Sequence, residues 1–119
     1  MKKQLNSAIR TLRAGILTFA FLFCMQTLFA QAWTGNLSTD WNTPGNWDGG
    51  AVPLATDDVT IPDVANDPTI MAGTMAVAKS VTVQSNAVLT IVAMGSLTMN
   101  GSTAQGILNQ GTVQNTGTI

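Results

Sequence analysis

The side chains of this chain that could do chemistry are carboxylates and indoles, concentrated between residues 33 and 67. Beyond residue 32 the chain contains no histidine, cysteine, glutamate, tyrosine or arginine. Nucleophiles paired with histidine therefore cannot form there, and the usual zinc ligands are lacking. Asp57 and Asp58 are adjacent, but neighbours in a strand point to opposite faces and do not converge on one bond. We predict no catalytic residues and a protein that is not an enzyme.

Calcium is the cation that the aspartates could bind, because carboxylate oxygens are hard ligands and calcium commonly stabilises extracellular repeats. The candidate ligands are Asp57, Asp58, Asp63, Asn66 and Asp67. Their spacing matches neither the EF-hand loop nor the glycine-aspartate nonapeptide repeat. We therefore predict that they shape turns around Pro62 and Pro68, with no metal and no cofactor, and calcium binding is the alternative.

The three tryptophans, Trp33, Trp41 and Trp47, are the only aromatic residues beyond residue 32. Exposed indoles stack on sugar rings, and in that reading Trp41 and Trp47 would be the ligand-binding residues of a small carbohydrate-binding module. Buried indoles would instead close the end of an apolar core, with their N–H groups satisfied inside it. We favour burial, because no other aromatic side chain is available to fill such an end.

The segment from Met1 to Ala32 has the pattern of a secretory signal peptide. Four of the five basic residues lie in residues 1–13, and residues 14–30 are uncharged and apolar. Ala30-Gln31-Ala32 fits the small-x-small cleavage pattern, so we predict a signal helix over 1–32 with cleavage after Ala32. An uncleaved anchor is the alternative, since the uncharged run just reaches the lower limit of length for a helix that spans a bilayer.

The rest of the chain carries six aspartates against one lysine, Lys79. No basic patch exists that would attract nucleic acid, and we predict no nucleic-acid partner. Contact with a membrane is expected only through the signal segment before cleavage. The expected location is extracellular or at the cell surface.

Short alternating apolar runs follow the tryptophans, separated by glycine, asparagine and serine. Alternation with β-branched residues predicts strands, and none of the runs is long enough for a helix. The runs include 59–61, 81–83, 89–91 and 97–99, with single apolar positions at Val113 and Ile119. The sequence is therefore expected to be all-β.

Inward apolar positions recur along the chain with a nearly constant spacing. The predicted stacked pairs are Ile61 with Val83, Ile70 with Ile91, Ile91 with Val113, and Leu97 with Ile119. A period of this length is typical of a solenoid, in which each coil buries its apolar side chains against the coils above and below. Position 103, one period after Val81, is threonine, so the segment 101–106 must shift the register. A small β-sandwich of hairpins is the alternative, favoured by Asp48-Gly49 and Asn100-Gly101.

Several ordered motifs resemble the N-terminal region of large secreted parallel β-helix surface proteins of Bacteroidetes-type bacteria, with an adhesin or G8-domain character. They are Trp33-x-Gly35, Asp40-Trp41, Gly45-Asn46-Trp47, Gly50-x-Val52-Pro53, Asp58-x-Val-Thr-Ile61-Pro62, Pro68-x-Ile70, Gly95-Ser-Leu97 and Gly111-Thr-Val113. The resemblance covers nearly all of residues 33–119.

The resemblance implies a right-handed parallel β-helix, with a tryptophan-rich cap and first coil at 33–62 and solenoid coils at 63–119. The chain stops mid-pattern, so we expect a truncated piece of a longer protein. It implies a secreted, non-enzymatic segment of a surface adhesin or structural exoprotein, whose partners are surface glycans or other cell-surface proteins. Besides the carbohydrate-binding module, the remaining alternative is the N-terminal part of a polysaccharide-degrading enzyme.

Overall fold

The computed structural model describes residues 30–101 and 106–119, so the predicted signal segment lies outside it except for Ala30, Gln31 and Ala32. Within these ranges the protein is all-β, with one turn of 3-10 helix at Pro44–Asn46 and no α-helix. The strands are β1 (Ala30–Ala32), β2 (Asp58–Ile61), β3 (Thr69–Ile70), β4 (Met75–Ala78), β5 (Ser80–Val83), β6 (Val88–Ile91), β7 (Ser96–Met99), β8 (Ile107–Asn109) and β9 (Thr112–Asn115). None of the helical structure in this part of the chain is long and apolar enough to cross a membrane.

The central strands form where polar and apolar residues alternate. In β5, Val81 and Val83 are fully buried while Ser80 and Thr82 are partly exposed. β6 repeats the pattern with Leu89 buried inside. Side chains of a strand point alternately to its two faces, so each of these strands places one face in the core.

The strands form three sheets in which every ladder among the described residues is parallel. The sheet orders are β1-β2-β5-β8, β3-β6-β9 and β4-β7. β2, β3 and β4 therefore lie in three different sheets, and β5 returns to the sheet of β2. We call the run from one strand to its partner in the same sheet a lap. No two consecutive strands of the described part form a hairpin ladder.

The register stacks inward side chains from one lap to the next. Ile61 pairs with Val83, and Ile70 pairs with Ile91, as the sequence predicted. In a parallel ladder paired residues present their side chains to the same face, so these positions form apolar columns. The buried residues of the laps and all three tryptophans belong to one cluster.

The predicted pair of Ile91 with Val113 is wrong. Val113 pairs with Leu89, and Ile91 pairs with Asn115. The step between partners also lengthens in the sheet of β2, where Val81 pairs with Ile107 rather than with Thr103. The shift that Thr103 indicated is therefore real, and it arises in the connection between β7 and β8.

Shorter corners later in the chain then restore the original spacing between paired residues. Leu89 pairs with Val113, a smaller step than that from Val81 to Ile107. Ser96 forms a bridge with Thr118, and this spacing equals the one predicted for Leu97 and Ile119. A single average period therefore hides both the longer spacing between paired residues and the return to the original spacing.

The predicted boundary after Ala32 falls at the last residue of β1. β1 pairs with β2 along its whole length, from Ala30 opposite Asp58 to Ala32 opposite Thr60. In the structure, residues 30–32 are therefore part of the folded unit rather than of a separate leading segment. The physical reason is the free edge of β2, whose N–H and C=O groups need partners.

Candidate functional site

The tryptophan loop, residues 33–48, leaves β1 and returns to its end. Trp33 and Trp47 form an antiparallel bridge. The amide of Asp48 donates to the carbonyl of Ala32 at 3.0 Å, and the amide of Ala32 donates to the Asp48 carboxylate at 3.0 Å. These contacts close the loop at its base, so the residues between them are held as one unit.

The three indole rings pack against one another inside this loop. The ring centroids of Trp33 and Trp47 are 5.0 Å apart with an interplanar angle of 81°, and those of Trp41 and Trp47 are 4.7 Å apart at 74°. Both pairs have the edge-to-face geometry that aromatic quadrupoles favour. Trp47 is thus the central ring, and the trio extends the apolar core of the strands.

The rings are buried, which confirms the favoured prediction. Exposures are 1% for Trp33, 0% for Trp41 and 3% for Trp47. Trp41 and Trp47 therefore do not present the exposed indoles that stacking on a sugar would use. A sugar ring needs a free indole face, and these faces are covered by neighbouring rings and by the core.

Two indole N–H groups are tied to the backbone. Trp33 Nε1 donates to the carbonyl of Asn66 at 2.6 Å, and Trp47 Nε1 donates to the carbonyl of Trp41 at 2.9 Å. Trp41 Nε1 is buried with no acceptor among the described residues. An unpaired buried donor destabilises a fold by about 1–3 kcal/mol, so any stabilisation by Trp41 comes from the packing of its ring.

Asn46 organises the backbone of the loop. Its side-chain oxygen accepts from the amides of Leu37 at 2.8 Å and Ser38 at 3.0 Å. Its side-chain nitrogen donates to Ser38 Oγ and to the carbonyl of Asp40, both at 3.0 Å. Asn46 is fully buried, and it is the one buried polar side chain in residues 30–101 and 106–119.

Sequence reasoning missed this role of Asn46. The residue stands out in the sequence only within the motif Gly45-Asn46-Trp47, where it resembles a turn asparagine. Pro44 starts the 3-10 turn, and that turn places Asn46 inside the loop. The available signal was a polar residue that stands between the turn-forming pair Pro44-Gly45 and a core tryptophan.

The loop also covers the outer edge of β3. The amide of Thr69 donates to the carbonyl of Thr39 at 2.6 Å, and the amide of Trp41 donates to the carbonyl of Thr69 at 3.0 Å. Asp40 and Thr69 form a parallel bridge. The loop thereby pairs with β3 as a short strand would, and an edge that could bind another chain is closed.

Asp58 lies on the outer face of the sheet and contacts the next lap. Ser80 Oγ donates to its carboxylate at 2.6 Å, and Lys79 Nζ lies 3.2 Å from its other oxygen. The hydrogen bond from Ser80, then the bond and charge of Lys79, lower the pKa of Asp58 below its usual 3.8. This carboxylate joins two laps rather than facing a ligand.

The other candidate calcium ligands make separate contacts and do not converge on one point. Asp57 accepts from the amide of Leu54 at 2.8 Å, Asp67 accepts from the amide of Val88 at 3.1 Å, and Asp63 is exposed. Asn66 donates from its side chain to the carbonyl of Gly35 at 2.8 Å. No group of three or more acidic, histidine or cysteine side chains in the described ranges could hold a metal ion.

The fold and the loop together define a class: an all-β protein of parallel strands whose first lap is closed by a buried tryptophan loop. The chain belongs to the family described as "Domain of unknown function (DUF8693)", which matches residues 32–119. No curated protein and no solved structure matches it.

Proposed function

We propose that this protein is a segment of a right-handed parallel β-helix that acts as a secreted, non-enzymatic scaffold of a surface adhesin or structural exoprotein. The observation that carries the proposal is the pairing order of the strands. From β2 onward, consecutive strands lie in different sheets, and each central strand pairs in parallel with the strand one lap later. A coil that winds around a common core produces this order.

The stacked side chains support a rod rather than a pocket for substrate. Val59 pairs with Val81, Val81 pairs with Ile107, and Ala76 pairs with Leu97. The inside of each lap is thus filled by aliphatic side chains of its neighbours. Such a structure is stiff and repetitive, which suits it to holding other binding surfaces away from a cell.

The outer faces support recognition by uncharged polar contacts. Thr60 pairs with Thr82, and Thr69 pairs with Thr90, so hydroxyl groups lie side by side on neighbouring laps. Surface glycans and other cell-surface proteins are the partners that we propose. Export through the signal segment would bring the protein to them.

Chemical cross-linking tests the coil. In the variant Thr60→Cys/Thr82→Cys, made with Cys24→Ser, the two new cysteines lie on adjacent paired strands, about 5 Å apart. That separation permits a disulfide. We expect oxidation to cross-link this pair, while the control pair Thr60→Cys/Thr98→Cys, on two different sheets, stays reduced. Equal cross-linking of both pairs would contradict the proposed register.

Surface display tests the function. A peptide epitope fused after Ile119 is expected to become accessible to antibody on intact cells, and the scaffold ahead of it is expected to resist added protease. An epitope found only in the cytoplasm would contradict export. Release of sugars from polysaccharides by the purified protein would contradict a non-enzymatic role.

A further inference from the structure

The start of the folded unit conflicts with a signal cleavage after Ala32. Such a cut would remove β1 and leave β2 without its partner on that edge. It would also remove the Ala32 amide and carbonyl that hold Asp48. The tryptophan loop would then lose the contacts that close its base.

The new terminus at Trp33 would be costly as well. Trp33 is 1% exposed, and its backbone amide donates to the carbonyl of Thr60 at 2.9 Å. A cut after Ala32 would convert this amide into an ammonium group next to a buried ring. Burying a charge is unfavourable unless it is well paired, and the carbonyl of Thr60 is only a neutral partner for it.

We propose that signal peptidase cleaves the bond between Ala30 and Gln31, an inference that rests on the proposed export. The enzyme requires a small residue just before the bond, and Ala30 supplies it, whereas the other position of the small-x-small pattern is occupied by Leu28. Hydrolysis adds one water: Ala30 gains a carboxylate, and Gln31 gains the new α-amino group. The pairs of Gln31 with Val59 and of Ala32 with Thr60 are both retained.

The surroundings of Gln31 suit a positively charged terminus. An open cleft of about 500 Å³ is lined by Ala30, Gln31, Asp48, Gly49, Leu54 and Asp57. An α-amino group, with a pKa of about 8, is mostly protonated at neutral pH. The two carboxylates of the cleft would attract it, and the cleft leaves it in contact with water, unlike a terminus at Trp33.

Intact mass measurement of the exported protein tests the site. The full chain is expressed in a bacterium that exports it, and the N-terminus is identified for the parent, Ala32→Val and Ala30→Leu. Valine suits an outward strand position, but it is too large to precede a cleaved bond. We expect the parent and Ala32→Val to begin at Gln31, either as the free amine or as the ring formed when that amine displaces ammonia from the side-chain amide.

The variant Ala30→Leu should accumulate as uncleaved precursor. A parent protein that begins at Trp33, with cleavage lost in Ala32→Val, would overturn the proposed site while leaving export intact. An N-terminus at any other residue after a cut would overturn it too. Exported protein that keeps Met1 would overturn cleavage altogether, and protein that stays in the cytoplasm would overturn the export on which the site rests.

Discussion

The tryptophan loop and the stacked strands both satisfy backbone hydrogen bonds next to a buried apolar cluster, but they do so in different ways. Both regions bury apolar side chains in one continuous cluster. The strands satisfy their backbone through parallel ladders, and the inward positions of the central strands, such as Val81 and Val83 in β5, are apolar. The loop has irregular backbone, and it uses the side chain of Asn46 to satisfy groups that have no strand partner.

The difference teaches how the first lap of these parallel strands is closed. A lap in the middle has a neighbour on each side, whereas the first lap has an open edge and an open apolar end. The loop closes the edge of β3 through Thr39 and Trp41, and it closes the end with three indole rings. Large rings are needed there because one loop must cover the apolar end that a whole neighbouring lap covers elsewhere.

Truncation of Trp41 should have the largest effect, because it removes the ring from a fully buried position. We expect Trp41→Ala to lower the free energy of unfolding by about 3–5 kcal/mol, measured by urea denaturation followed by circular dichroism. Leu37→Ala, in the same loop but 69% exposed, is the control and should change it by less than about 0.5 kcal/mol. Similar losses for both variants would mean that the loop is not part of the core.

Loss of the Asn46 side chain should come next. Asn46→Ala leaves the partly buried amides of Leu37 and Ser38 without their acceptor, and a buried group left unpaired destabilises by about 1–3 kcal/mol. We expect a total loss of about 2–4 kcal/mol, with amide hydrogen exchange rising first in the loop and less in β5 and β6. The exposed neighbour Asn42 gives the matched control, Asn42→Ala, which should be nearly neutral. Uniform loss of protection across the strands would show that the two regions do not differ as we describe.

The strands were the more predictable region, for a physical reason. Alternation and β-branched residues in the runs around Val81 and Leu89 report directly on local geometry. The pairs Ile61–Val83 and Ile70–Ile91 followed from counting. Pairing failed at Val113 because the length of a corner, unlike the phase of a strand, leaves no periodic signal.

The tryptophan loop could be predicted only in part. Burial of the indoles followed from the need to fill an apolar end. The bonds of Asn46 and the pairing of β1 did not, because both join residues far apart in sequence with no repeated pattern. Ala30–Ala32 also matched a processing motif, and this competing signal concealed a strand.

A smaller effect is expected at one corner that recurs in successive laps. Gly73 (φ +80°) and Met94 (φ +68°) occupy the same place in that corner, where the amide of Gly73 donates to the carbonyl of Met94, and Met94 is 85% exposed. A left-handed backbone disfavours side-chain-bearing residues by about 1–2 kcal/mol, whereas glycine tolerates it. Met94→Gly should therefore stabilise by roughly 0.5–1 kcal/mol, and Gly73→Ala should destabilise by about 1 kcal/mol. Urea denaturation measures the stability of both variants. Changes of the same sign would contradict the assignment of Gly73 and Met94 to the same place in the corner.

The smallest effect should come from Asp58, whose side chain is 44% exposed, whereas that of Asn46 is fully buried. Ser80 and Lys79 lower the pKa of Asp58 in the folded protein, so its stabilising effect is present above the unfolded pKa and is lost as pH falls through the folded value. The Lys79 and Asp58 side chains are 41% and 44% exposed, which limits the effect to a few tenths of a kcal/mol. Asp58→Asn should therefore be slightly less stable than the parent in urea at about pH 7 and equal to it at about pH 2. A gap for Asp58→Asn that persists in acid would assign the effect to packing rather than charge.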